Sequence, residues 1–442
     1  MRRALCPLLM FCIPLPVCRD ARSETAELLA KGRWRKQAAE TVGEVKDFRP
    51  GGTVRLSPYG GWADRRVKAT GFFRTERIDG RWWLVDPEGC LFLTVGLCSV
   101  NTGTMGEAAM KARFTDETRW AAATGTLLKT HGFNSLGCWS TWRAMRPLPE
   151  RMPYFPRWNF MQTYKNRREA RYGQRGYPNQ TLPAFDPAFE TFCDEHARQL
   201  AATKDDPWLV GHFSDNELPF RPDSLTNYLS LPESDAGHQA AKAWWQRRRH
   251  RLGRRDEKVR QADHDAFLEH LARRYYTVVA AAIRKHDPHH LYVGSRIHGR
   301  TIREPVFRGS SAVDVVSVNY YHRWSPEAER LAHWTKWSGR PVLISEWYAQ
   351  SVESPETEIS GAGFAVHTDR DRGLFYQNMT LGLLRSAGCV GWHWFKYGGD
   401  GKGYHKGVVS GRFEPHAPLL DRMRELNRHV YPLAAFFAGG GR

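Results

Sequence analysis

From residue 90 onward, apolar runs of strand length alternate with amphipathic stretches of helical period. Short apolar runs bounded by turn residues mark buried strands, and apolar positions recurring every three or four residues mark helices. The first run is Leu91–Leu97 and the second Gly132–Trp139. A third, broken by proline, lies near Met152–Phe160. The fourth, Pro207–Glu217, starts as a buried strand and closes on Asp215-Asn216-Glu217. The fifth is His290–Arg296, the sixth Val313–Tyr321, the seventh Pro341–Glu346 and the eighth Val390–Phe395. Helices are expected over 118–130, 189–203, 239–286 (long enough for two), 326–337 and 370–386. Strands alternating with helices imply βα units and a parallel sheet. Eight such runs match the count of a (β/α)8 TIM barrel, placed over residues 91–435. An open doubly wound sheet is the competing α/β fold, but it wants a Gly-rich phosphate loop after its first strand, and the sequence has none.

Ahead of the barrel, residues 23–90 read as an N-terminal extension. Most of 19–65 is polar and mixed, and predicts an irregular wrap. Residues 72–89 predict a β-hairpin about Asp79-Gly80, a dipeptide suited to a tight two-residue turn. Met1-Arg2-Arg3 followed by a short apolar stretch predicts a signal peptide over 1–22 and hence export, periplasmic or secreted. Cys18 makes only a weak lipoprotein-anchor match, and a misassigned start is the alternative. No later stretch is long and apolar enough for a transmembrane helix. The insertions 161–184 and 350–367 follow strands, so both should overhang the barrel mouth.

Composition changes the picture in two places. Lys and Arg outnumber Asp and Glu by 65 to 47, a formal charge of +18. That charge suits either a polyanion binder or an enzyme for an anionic polymer such as a sulfated polysaccharide. The densest run, Arg247–Arg255, lies in a helical stretch with acids close behind, which favours a solvated helix face. No nucleic-acid recognition fold accompanies it. The 17 Trp and 16 Tyr suit a sugar-binding cleft as well as ordinary packing. Eight cysteines include no C-x-x-C pair, and the His and acidic residues lack metal-ligand spacing, so neither metal nor cofactor is expected.

Two glutamates carry the chemistry. Glu217 and Glu346 both end apolar strands, and the C-terminal tips of barrel strands form the face where reactions occur. Glycosidic cleavage needs two carboxyls: one protonates the leaving oxygen, and the other attacks the anomeric carbon or activates water. The competing role for Glu346 is a buried ion pair with an arginine. A non-catalytic carbohydrate- or polyanion-binding barrel is the alternative function.

Asn216-Glu217 ending the fourth strand and Glu346 ending the seventh resemble the signature of the large clan of retaining glycoside hydrolases built on this barrel. That resemblance implies Glu217 as acid/base, Glu346 as nucleophile, and Asn216 on the hydroxyl next to the anomeric carbon. Trp83–Pro87, His131–Asn134, Gly211–Leu218, Asp287–Tyr292, Asp314–Asn319 and Gly391–Phe395 are similar to the β-agarases of glycoside hydrolase family 50. The likeness runs from about residue 70 to 430. Trp347-Tyr348-Ala349-Gln350 departs from it, which leaves a sister family acting on another galactan or β-galactoside open.

Position assigns the remaining substrate candidates. Tyr321 shares parity with Asn319; the resemblance to the clan implies a sixth-strand tyrosine that hydrogen-bonds the nucleophile, for which Tyr321 is chosen over Tyr320, with His322 as the alternative polar neighbour. Arg296 and His298 end the fifth strand and would hold a hydroxyl or a sulfate, or in the case of Arg296 balance the glutamates. Trp394 would floor the sugar subsite and His393 would donate at its rim. Asn134 and Trp139 are placed at the end of the second strand. Each of these histidines has a competing role as a satisfied strand-end side chain.

Overall fold

The apolar runs fold as parallel strands whose neighbours follow chain order. A computed structural model describes residues 24–49, 51–52, 54–103, 106–172, 176–353, 358–399 and 405–439. The leader expected over 1–22 lies outside the described residues, as does part of the 350–367 insertion. Six strands join in the order Ile297–His298, Val316–Asn319, Val342–Glu346, Cys389–Trp394, Thr94–Leu97 and Ser135–Leu136. All five pairings are parallel. Parallel bridges continue from Leu136 to Tyr154 and from Tyr154 to Leu209. Gly211–His212 then pairs in parallel with Leu291–Tyr292, in the run that leads to Ile297. The fold is therefore α/β, with strands and helices in the expected order.

Alternation along the strands separates two apolar layers. Cys98, Cys138, Phe155, Val210, Phe213, Val293, Val315, Leu343 and Val390 share one buried cluster, with a side chain from each of the eight runs. The intervening residues, among them Val95, Leu136, Tyr292, Val318, Ile344, Trp392 and Trp394, pack in a second, larger cluster with the helices. Period-2 projection is what sends neighbours to opposite faces.

The helices match expectation closely at Glu117–Thr130, Ala328–Ser338 and Asp369–Arg385. The 239–286 stretch divides into Ala236–Arg251 and Gln261–His286. Arg74–Ile78 and Arg81–Val85 form the hairpin. Asp79 and Gly80 both have positive φ, 50° and 80°, as a two-residue turn of this hand requires. Phe73 and Leu84 from this region join the first of these clusters. Arg81 donates to the carbonyls of Leu384 and Cys389, tying the hairpin to the start of the eighth strand.

One expectation needs correction. The irregular wrap contains the antiparallel strands Glu24–Ala30 and Arg33–Ala39. Their sheet extends through Phe364–Val366 to Ala349–Ser351, after the seventh strand. Arg33–Ala39 is almost wholly exposed, so it has no buried face to impose an apolar alternation. The basic 161–184 insertion opens with a helix, Phe160–Tyr172. The cysteines at 90, 98, 138, 193 and 389 are buried free thiols. Among the described residues no helix is long and apolar enough to cross a membrane.

Candidate active site

Adjacent strand ends bring the two glutamates into one hydrogen-bond network. His298 pairs with Asn319, and Asn319 with Glu346, across neighbouring parallel strands. Asn319 Nδ2 donates to Glu217 Oε1 at 2.7 Å and lies 3.3 Å from Asn216 Oδ1. Its own Oδ1 accepts from the Ser345 hydroxyl at 2.9 Å. Arg296 spans to the other acid: Nη1 donates to Asn216 Oδ1 at 2.8 Å, and Nη2 to Glu346 Oε2 at 2.6 Å. The Tyr321 hydroxyl donates to Glu346 Oε1, also at 2.6 Å. The hydrogen bonds thus run from Glu217 through Asn319, Asn216 and Arg296 to Glu346.

The two acids differ in setting. The Glu346 side chain is 11% exposed and faces a guanidinium that is fully buried. Glu217 is 31% exposed, and its nearest titratable partner is His298, with Nδ1 3.7 Å from Oε2. Burial opposes charge on Arg296, but its anionic surroundings, Glu346 among them, raise its pKa above the usual guanidinium value. Burial and then the Glu346 charge push the Tyr321 phenol well above its usual range, so it stays a donor. Trp139, Glu217, Arg296 and His322 all have positive φ, between 54° and 62°. Non-glycine residues rarely adopt that region, and such strain gathers at functional sites.

Of the remaining sequence candidates, Trp139 and His298 lie beside this network. The Arg296 guanidinium sits 4.3 Å from the Trp139 ring centroid. His298 meets the Tyr321 ring edge-on at 6.0 Å. His322 is exposed and reaches Tyr321 only at 6.4 Å between ring centroids.

Three candidates lie elsewhere. Asn134 precedes the second strand rather than ending it. Its amide clamps the first strand, accepting from the Val95 N–H and donating to the Leu93 carbonyl. Trp394 is fully buried on the helix-facing side, 4.9 Å from Trp347 and 5.8 Å from Tyr376 between ring centroids. It therefore does not floor a sugar subsite. His393 is fully buried against Phe155 and Phe213, with Nε2 3.0 Å from Thr94 Oγ1. A Cβ at Gly137 would stand 2.8 Å from its Nδ1, so the ring fills a space that glycine leaves. Burial and then Arg296 lower its pKa to about 3, so the ring is neutral at pH 7, and its full burial keeps it from any rim.

Sequence reasoning missed Arg157, Tyr348 and Phe395. Phe395 lies 6.0 Å from Trp139 and 5.8 Å from Tyr348, and Tyr348 meets Tyr321 at 5.5 Å, all between ring centroids. Arg157 lies within the third run, Tyr348 two residues past the seventh, and Phe395 ends the eighth, so nearness to a strand end was the available signal. Asp215 serves structure: it accepts from the N–H groups of Met161 and Gln162 and from the Tyr275 hydroxyl. His212, Asp287 and His290 lie close enough to suggest a metal triad. However, His212 Nε2 and His290 Nδ1 both bond Asp287, Trp158 donates to His212 Nδ1, and His290 Nε2 faces the Asp206 carbonyl. Every ring nitrogen already has a protein partner.

No protein-family model matches the chain. Beta-agarase B of Vibrio sp. (strain JT0107) is 25% identical over 519 residues, covering 93% of this chain and 53% of that protein. Beta-agarase A of the same strain is 28% identical over 189 residues, covering 39% of this chain and 18% of that protein. The chain thus spans about half the length of the first of these relatives and less of the second. The crystal structure of BpGH50 matches with TM-score 0.85 at 25% identity, covering 94% of this chain and 96% of that one. An exo-beta-agarase matches with TM-score 0.73 at 22% identity, covering 86% and 68%. The chain is homologous to beta-agarase B and shares its fold with BpGH50.

Proposed function

We propose that this protein is a retaining glycoside hydrolase that cleaves β-linked, galactose-containing polysaccharide or oligosaccharide, in the manner of the β-agarases. The observation that carries the reading is the unequal setting of two carboxylates within one network. Glu346, bonded by Arg296 and Tyr321, is the nucleophile; both donors orient it and compensate its charge. Glu217, more exposed and without a guanidinium partner among the described residues, is the acid/base. In the first step Glu346 attacks the anomeric carbon while Glu217 protonates the departing oxygen. In the second, Glu217 takes a proton from water as that water displaces Glu346.

Asn216 offers its Oδ1 to Arg296 and Asn319, which leaves Nδ2 to donate to the neighbouring sugar hydroxyl. Asn319, Trp139 and His298 complete the contact surface in this reading. The eight runs are read as a closed (β/α)8 barrel over 91–435, capped by the hairpin region of 23–90. Parallel pairing from run to run and the shared inner cluster support that closure. Homology to beta-agarase B supports a galactan as substrate.

The test is Glu217→Gln and Glu346→Gln, assayed for product release from agarose and other galactans. Each should lose at least roughly 10²-fold in kcat while keeping the wild-type melting profile. Azide should partly restore turnover of an activated substrate by Glu346→Gly. Full activity in either glutamine variant sinks the assignment.

A further inference from the structure

Arg157 lies in the third run, where its backbone bridges Phe213 of the fourth. Its guanidinium lies 4.7 Å from the Trp139 ring centroid, so the guanidiniums of Arg157 and Arg296 flank one indole at the mouth. The two arginines differ in what they bond. Arg296 is taken up by Glu346, Asn216 and the Ser345 carbonyl. Arg157 is half-buried yet has no ion pair and no side-chain hydrogen bond among the described residues.

The nearby acids are already engaged. Asp215 is held by two backbone N–H groups and Tyr275, and Glu346 by Arg296 and Tyr321. A partly desolvated cation without an anionic partner is costly. Burial, reinforced by the charge of Arg296, moves the Arg157 pKa below the ordinary guanidinium value. A guanidinium presents a planar fork that pairs bidentately with a sulfate or carboxylate.

We propose that Arg157 is a specificity-determining residue that receives an anionic substituent, sulfate ester or carboxylate, on the sugar bound beside Trp139, so that the substrate is an anionic galactan rather than a neutral one. This rests on the glycosidase reading above. The absence, among the described residues, of any anionic partner for a half-buried guanidinium is the feature that a neutral substrate leaves unexplained. The net charge of +18 favours the same class of polymer.

The test compares kcat/KM of the full chain on three length-matched β-galacto-oligosaccharides: neutral, sulfated and uronate-bearing. One anionic substrate should exceed the neutral one at least tenfold, and which of them does so identifies the group. Arg157→Met should lower the anionic-to-neutral ratio at least tenfold, and Arg157→Lys should retain part of it. Circular dichroism checks folding; should the Met variant not fold, Arg157→Gln is read in its place. Raising NaCl should depress the anionic reaction more than the neutral one. Preference for the neutral substrate, or an unchanged ratio in the variants, overturns this inference alone. Cleavage of none of the three by the wild type overturns the glycosidase reading and this inference with it.

Discussion

At Glu346 two donors of different kind converge on one carboxylate. Arg296 supplies fixed charge and Tyr321 a neutral hydroxyl, each at 2.6 Å. A hydrogen bond to a charged group contributes about 1.5–3 kcal/mol. Tyr321→Phe should therefore lower kcat roughly 10- to 100-fold, if the bond matters most when charge shifts in the transition state. Steady-state kinetics should show KM changing less than kcat; equal losses in both would assign Tyr321 to ground-state binding. Arg296 has a larger structural stake. Arg296→Met strands a buried carboxylate, and breaking a buried ion pair costs on the order of 3–5 kcal/mol. A melting curve matching the wild type would refute that.

Among the elements, the helix Phe160–Tyr172 is anchored by an acid from another run. Asp215 accepts from Met161 and Gln162 at its start. Burial raises the Asp215 pKa to about 6 despite these donors. An unfolded aspartate titrates near 3.9, about two units lower. Between those values the folded chain binds more protons than the unfolded one. Its stability contribution therefore falls as pH rises through that window, by on the order of 3 kcal/mol. The melting temperature of the wild type relative to Asp215→Asn should fall from pH 4 to pH 7; a constant difference would contradict this.

A second acid joins the two long helices. Asp263 accepts from Arg248 at 2.8 Å and from Arg254 at 2.7 Å, with its side chain 1% exposed. The arginine run thus includes a clamp between Ala236–Arg251 and Gln261–His286, besides its solvated positions. Asp263→Ala should cost about 3 kcal/mol in denaturant unfolding. A loss within a few tenths would show that the clamp is dispensable.

On the scale of the whole molecule, the N-terminal strands reach round to the segment that follows Glu346. Glu24–Ala30 pairs with Phe364–Val366, which pairs with Ala349–Ser351 just beyond Glu346. Ala26 and Leu28 are buried there. Removal of residues 24–41 should lower both the melting temperature and kcat/KM, because the segment after the seventh strand loses its sheet. Unchanged kinetics in a stable truncated chain would separate this sheet from the mouth.

The sequence alone determined the order of the elements, the hairpin at Asp79-Gly80 and the two strand-end glutamates. Apolar period and turn chemistry are local and survive without knowledge of any partner. Tertiary structure decided what faces what. It sent Trp394 to the helices and His393 into the packed interior, because parity fixes opposite faces but not which face meets the mouth. It placed Asn134 ahead of its strand, because the strand proper spans only Ser135–Leu136. Arg33–Ala39 escaped notice because an exposed strand buries nothing that could mark it. Arg157 stood out only once Asp215 and Glu346 were seen to be taken by other donors. Whether a charge has a partner is set by contacts between remote segments, and no local pattern records those.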